Sequence, residues 1–422
     1  MTITTPPHLL VFEPDSRGHA FEWIEHLLRF VCERDRDSAL RLSIVVPAEL
    51  AMRLASWQTA ATRFELHRLL PRETQLCNHS VLAVSGFARW RMMRRYLRLT
   101  EADHGLFLGI DHATLPLALG LSFDGRKTSG ILFRPSVHYA EFSGQRPTAK
   151  ERLREIRKNI LYPLMLRNPA VRSVYSLDSY FPAFAAKHYA AGYKVRGLVD
   201  PVSRQDTLRS AAKVEKDPEA RICFAMFGVL TERKGILTLL DALRLLPRAI
   251  AVRIEVAIAG QIDPAIRDAV RERGSALARH RSDLRLRLDD RHLAESEIAA
   301  LVADADVVLA PYQRFVGSSG VLMWAAAAGK PVITQDYGLL GRLVRDGGLG
   351  IGVDTTSAPA LAHAIEAAVR RGPGALGDTA RMRTFAAGRT PARFAAALLE
   401  CGVTEANQLV ECGPFSMEIV QK

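Results

Sequence analysis

The chain of 422 residues holds only five cysteines, Cys32, Cys77, Cys223, Cys401 and Cys412, and none forms a Cys-x-x-Cys pair. That excludes a thiolate zinc site and a disulfide framework, and scattered thiols fit a reducing, cytoplasmic setting. Apolar runs of about 18 residues are missing too, so no segment reads as a membrane-spanning helix. Met1 to Pro7 shows no basic stretch leading into an apolar run, so no secretory signal is expected. Acidic residues are in deficit: 57 Lys and Arg stand against 45 Asp and Glu, a net charge of +12, with a pI of about 9.7. That balance suits anionic partners, whether nucleotide-activated substrates, acidic lipid surfaces or nucleic acid. Nucleic acid is set aside, because no helix-turn-helix, zinc or aromatic-platform pattern accompanies the charge.

What is present is globular, 48% hydrophobic and 24% charged, and too long for one core, so more than one domain is expected. The C-terminal half alternates cleanly. Arg221–Phe227, Arg253–Ala259, Leu284–Leu288, Asp306–Ala310, Pro331–Thr334 and Leu349–Val353 read as short buried strands with amphipathic helices between them. Alternation of that kind means a parallel sheet wrapped by helices. The N-terminal half repeats the pattern less cleanly, with strands at His8–Phe12, Leu42–Val46, Ser80–Val84, Leu106–Ile110, Gly130–Phe133, Arg172–Leu177 and Val195–Val199. A polar stretch from Pro201 to Pro218 reads as a surface linker. The expected fold class is α/β, two Rossmann-like domains facing a cleft: residues 1–202, then 203–386. Residues 387–422 supply a helix that returns to the first domain, and a tail.

The stretch from Val316 to Asp336 carries the most chemistry. Ser318, Ser319 and Gly320 open a short apolar helix, leaving backbone N–H groups free where the helix dipole favours an anion such as a diphosphate; a plain serine N-cap is the alternative. Gly329 stops that helix and Pro331 leads into the next strand. Earlier, Gly228 follows a strand and precedes Arg233 and Lys234, two cations suited to a diphosphate, or else a solvated basic turn.

In the first half, Asp15-Ser16-Arg17-Gly18-His19 links a strand to a long helix: Gly18 would admit close backbone approach, and His19 is either a base or binding donor or an exposed residue beside an N-cap. His112, in Gly109-Ile110-Asp111-His112, stands at the carboxyl end of a strand, where ligands bind in parallel sheets. His138 reads as a loop histidine, and Trp324 as core or cleft packing, or a platform for the donor base. Phe87–Leu99 carries an apolar stripe of Phe87, Trp90, Met93 and Leu97 beside Arg91, Arg94, Arg95 and Arg98. It reads either as a helix packed on the sheet or as a surface for anionic membrane.

The second half resembles the donor domain of a GT-B glycosyltransferase of family 4, or group 1. Three segments carry the likeness: Phe224–Pro247 with Gly228 and Thr231-Glu232-Arg233-Lys234-Gly235; Ala257-Ile258-Ala259-Gly260; and Ala305–Pro311 followed by Ser319–Ile333. The resemblance implies transfer of a sugar from a nucleotide-sugar donor to a hydroxyl of a lipid-linked or glycan acceptor, with retention and without a metal or other cofactor. It implies catalytic roles for His112, His19, Arg233 and Lys234, and donor binding by Gly18, Gly228, Arg233, Lys234, Gly260, Ser318, Ser319, Gly320 and Val321. Asp289-Asp290 is followed by Arg291 and is no Asp-x-Asp metal motif. The sequence also departs from the family: its two motif glutamates fall on Val316 and Trp324, and Val229 replaces a common arginine. An inactive, transferase-like binding protein is the alternative. The expected location is cytoplasmic, with peripheral contact at the inner membrane face.

Overall fold

The computed structural model describes residues 7–16, 18–33, 40–58, 64–142, 147–202 and 221–400. The linker beyond Val202 and the tail from Cys401, with Cys412, lie outside them, as does Arg17. Seven parallel strands form the first sheet: β1 (His8–Phe12), β2 (Arg41–Pro47), β3 (Phe64–Leu69), β4 (His104–Phe107), β5 (Lys127–Leu132), β6 (Val171–Ser176) and β7 (Val195–Gly197). Their order is β3-β2-β1-β4-β5-β6-β7. Six more build the second: β8 (Ile222–Phe227), β9 (Ile254–Ala259), β10 (Arg285–Asp289), β11 (Val307–Ala310), β12 (Val332–Gln335) and β13 (Gly350–Val353). That sheet is ordered β10-β9-β8-β11-β12-β13, again parallel. The α/β expectation with two doubly wound halves holds.

The physical reason is burial on both faces. Central strands such as β1 and β11 are wholly buried, as apolar runs must be when crossover helices cover both sides. Helix Ala20–Glu33 directs Trp23, Ile24, Leu27 and Leu28 onto one face of the first sheet. Helix Leu82–Leu99 directs Met93, Tyr96 and Leu97 onto the other.

One local expectation is corrected and two elements are added. Ser80–Val84 is not a strand, because Leu82 already belongs to the helix ending at Leu99; a short apolar run has no period to separate the two states. Strand β3 and helix Pro71–Cys77 were not foreseen. β3 is a half-exposed edge strand carrying Glu65, His67 and Arg68, so it lacks the apolar signature of the centre. Of the two readings of helix 82–99, the structure supports the packed one. Trp90 joins the core margin, Arg94 and Arg98 share Asp124 at 2.6 and 2.5 Å, and Arg95 pairs with Glu73.

The two halves are tied together. Helix Pro391–Leu399 lies against helix 20–33, with the Phe394 ring 5.1 Å from Trp23. Arg314 grips Glu151 at 2.6 Å, and the Tyr180 hydroxyl donates to Asp346 at 2.9 Å. Tyr139 and Phe142 pack into the second core. His138, expected in a loop, is buried among Tyr139, Phe142, Phe181 and Phe184, and its Nε2 lies 2.9 Å from Asp178.

Candidate functional site

Each sheet has a switch point where chain order reverses, β1 beside β4 and β8 beside β11. The loops leaving the carboxyl ends of those strands diverge and open a crevice, the usual ligand position in doubly wound folds. The four loops are Glu13–His19, Leu108–Ala113, Gly228–Gly235 and Pro311–Ser319.

On the C-terminal side the β8 and β9 turns meet backbone to backbone. A Cβ on Gly260, whose φ is +142°, would lie 1.9 Å from the Gly228 carbonyl oxygen. Lys234 folds back over this turn, its Nζ donating to the Phe227 carbonyl at 3.2 Å, so the ammonium sits at the end of β8. Arg233 lies over the Phe315 ring at 4.6 Å, and Gln313 N–H donates to the Arg233 carbonyl at 2.8 Å. Burial lowers the Arg233 guanidinium pKa, and Arg134 across the crevice pushes the same way.

Tyr312 joins these cations to the helix start. Its ring is 5.4 Å from Lys234 Nζ and 5.8 Å from the Arg233 guanidinium. Its hydroxyl is 2.8 Å from Ser319 Oγ. The hydroxyls of the two serines are therefore engaged elsewhere, Ser319 with Tyr312 and Ser318 with the buried Asp200. No side chain caps helix Gly320–Ala327, and its first N–H to find an N-terminal carbonyl is Met323, bonded to Ser319 at 3.2 Å. The N–H groups of Gly320, Val321 and Leu322 precede that bond, and space within 4 Å of a Gly320 Cβ is empty. Uncapped N–H groups, a dipole and two cations make an anion site.

The N-terminal side centres on His112, in a single helical turn after β4. Helix 82–99 positions it: a Cβ on Gly86 would strike the His112 carbonyl at 2.5 Å, and Ser85 Oγ is 3.2 Å from Nδ1. Burial and Arg89 lower the imidazole pKa, so the ring is neutral near pH 7, with Nε2 left for a ligand. His112 lines a cavity of about 560 Å³ with Asp111, Arg134, Arg154, Arg157, Lys158 and, from the other half, Val316. Val316 thus shares this cavity with His112. Trp324 packs half-buried on the C-terminal core. A shallower cavity of about 230 Å³ lies beside Ala259, lined also by Asp289, Arg291 and Leu293.

The structure gathers Gly228, Gly260, Arg233 and Lys234, and through Tyr312 the start of helix 320–327. His19 belongs to a separate contact: half-exposed, stacked on Trp23 at 5.5 Å, its pKa raised by Glu22 and by Asp200, the residue bonded to Ser318. Gly18, with φ +68°, has open space around it. Asp111 is turned to the Phe133 N–H at 2.9 Å.

Sequence reasoning missed Arg134, Arg154, Arg157, Lys158 and Glu13. The spacing of 154, 157 and 158 places three cations on one helical face, a signal that was available. Glu13 follows β1, buried, and burial pushes its carboxyl up to about 7. Folding favours its protonated form, so its contribution is complete below the unfolded value of 4.5 and is lost as pH rises through about 7. Glu13→Gln should therefore raise stability at pH 8, by up to about 3 kcal/mol, and leave it unchanged at pH 4. Denaturant unfolding at both pH values measures this, and equal shifts would contradict it.

Comparison with known proteins fits this geometry. Residues 221–371 match the family model described as Glycosyl transferases group 1. A glycosyltransferase from Rickettsia africae superposes with a TM-score of 0.63 at 13% identity, covering 94% of this chain and 98% of that one. HepE of Anabaena, solved with UDP, gives 0.61 at 16% identity, covering 94% and 99%. Sucrose-phosphate synthase of Thermosynechococcus elongatus gives 0.55 at 16% identity, covering 94% and 96%. No curated protein matches in sequence. The fold is GT-B. Residues 221–371 form a group 1 glycosyltransferase domain, and by that domain the protein is a glycosyltransferase.

Proposed function

We propose that the protein moves a sugar from a nucleoside-diphosphate donor, held by the C-terminal half, to a hydroxyl of an acceptor lodged beside His112. The observation that carries this reading is the assembly of Arg233, Lys234, Tyr312 and the uncapped start of helix 320–327. As the glycosidic bond to the diphosphate breaks, negative charge grows on the leaving oxygen. Two cations and three N–H groups aimed there stabilise the transition state more than the ground state. Both cations can fill the role a metal plays elsewhere, so the proposed reaction needs none, and family likeness favours retention. Neutral His112 would accept a hydrogen bond from an acceptor hydroxyl. HepE has been solved with UDP and with UDP-glucose, so uridine donors are the first to try.

Melting temperatures measured with UDP-, GDP- and ADP-sugars test the reading, since a ligand of the native state raises stability by mass action. A rise of several degrees with one donor, plus slow release of its free nucleotide, is expected. Binding without release, with every acceptor tried, would favour the binding-protein reading that Val316 and Trp324 suggest. No shift with any donor would end the proposal.

We further propose cytoplasmic location with peripheral membrane contact, through a different helix from 82–99. Helix Ala149–Arg167 exposes Leu153, Ile156, Ile160 and Leu164 at 70%, 58%, 57% and 41%, one stripe at helical spacing. Lys150, Arg152, Arg157 and Arg167 flank it, so charge complementarity selects an anionic bilayer. Among the described residues no helix is long and apolar enough to cross a membrane. Co-sedimentation with phosphatidylglycerol vesicles should fall at least about tenfold for Ile156→Asp with Ile160→Asp, two buried side chains being worth about 3 kcal/mol or more. Undiminished sedimentation would refute it.

A further inference from the structure

The 560 Å³ cavity is lined by four cations and a single carboxylate. Arg134 follows β5, while Arg154, Arg157 and Lys158 come from one face of helix 149–167. Lys158 is held in place, its Nζ bonded to the Arg134 carbonyl and to Ser136 Oγ at 3.1 Å. Nearby acids do not neutralise the group. Burial foremost brings Lys158 down to about 8; Asp111 favours its charge while Arg154, Arg134 and Arg157 oppose it, and Asp111 already accepts the Phe133 N–H. Glu151 is gripped by Arg314 at 2.6 Å. Glu155, the remaining acid of that helix segment, feels Lys158, Arg154 and Arg152, yet its pKa is raised, foremost by burial.

Concentrating like charges in a half-closed space is unfavourable unless an anion enters it. A neutral sugar acceptor would be served by amides and hydroxyls. Guanidinium forks and an ammonium match the tetrahedral, doubly charged geometry of phosphate. Leu82, Leu115 and Leu161 line the remainder of the cavity, an apolar wall for whatever bears that group.

We infer that the acceptor carries a phosphate or pyrophosphate group, bound by Arg134, Arg154, Arg157 and Lys158, with its hydroxyl beside His112. The inference rests on the transfer reading above and names the acceptor class for that site. Phosphate of this kind comes either from a soluble phosphomonoester or from a lipid headgroup. Arg134 also lies within electrostatic reach of Arg233, so the donor site must be filled before the acceptor site is measured.

The test uses the full-length protein saturated with UDP and titrated calorimetrically with glycerol 1-phosphate, with dioctanoyl phosphatidic acid, and with glycerol as a control. Both phosphates should bind and glycerol should not. Arg154→Gln with Arg157→Gln, both at least partly exposed, should weaken phosphate binding by about tenfold or more, with UDP affinity unchanged. Tighter binding of the lipid supports a membrane source, and equal binding a soluble one. The inference is overturned if neither phosphate binds, if the double variant binds them as the unsubstituted protein does, or if that variant loses UDP affinity in parallel. Failure of UDP itself to bind would sink the donor reading instead, and comparing phosphate titrations of the unsubstituted protein and the double variant would still judge this one.

Discussion

Lys234→Ala is expected to lower turnover of the nucleotide-sugar by about 10²–10³-fold, the usual consequence of removing one preorganised donor to a developing anion. Its ammonium is anchored on the Phe227 carbonyl at 3.2 Å and stands over Tyr312, so the charge is in position before substrate arrives. Arg233→Ala should cost less, because the Arg233 side chain is itself exposed and rests on the Phe315 ring rather than on a hydrogen-bonded anchor like that of Lys234. Lys234→Arg should recover little. A guanidinium spreads its charge over a planar fork and cannot reproduce the compact ammonium held on the Phe227 carbonyl. Steady-state release of free nucleotide from the donor, at matched folded fraction, measures the effect. A loss confined to KM would mean that the lysine binds donor and transition state alike.

Gly260→Ala is the second large effect. Its Cβ would sit 1.9 Å from the Gly228 oxygen, at a φ of +142° that L residues rarely adopt. Neither turn can yield, because Gly228 N–H bonds to the Ala259 carbonyl and Gly260 N–H to Asp289. Stability should drop by about 3 kcal/mol or more, and donor binding should vanish with the separation of the two turns. Gly18→Ala supplies the contrast. Its φ of +68° is also left-handed, but nothing lies within 4 Å of the added carbon, so about 1 kcal/mol is expected. Equal losses at the two sites, by chemical denaturation, would mean that backbone conformation rather than the clash sets the cost.

The same distinction between local and assembled information governs what the sequence disclosed. Val307–Ala310 and Ile254–Ala259 were legible because a strand covered on both faces must be apolar throughout. Phe64–Leu69 was not, since an edge strand half in solvent carries Glu65 and Arg68. The turn itself was legible for a local reason: Gly228, Arg233 and Lys234 lie within one strand-turn-helix unit. What was hidden is the meeting of Arg134 with the cations of helix 149–167, because the two elements come together only after the sheet has formed. The engagement of the Ser318 hydroxyl by Asp200 was hidden for a related reason, since Asp200 belongs to the opposite half. Helix 82–99 had the composition of a lipid-facing segment, yet Asp124 and Glu73, remote in sequence, claim its arginines.

Helix 391–399 seals Trp23 with Phe394, and just before it the Arg389 carbonyl accepts the Val202 N–H at 2.8 Å. The polypeptide therefore crosses between its lobes at two adjacent places stitched by a backbone bond. Such a double pin fastens the lobes to one another where the chain passes between them. It also makes the first lobe dependent on a helix made much later: a ribosome that has finished residue 202 has not yet made the piece that closes that lobe.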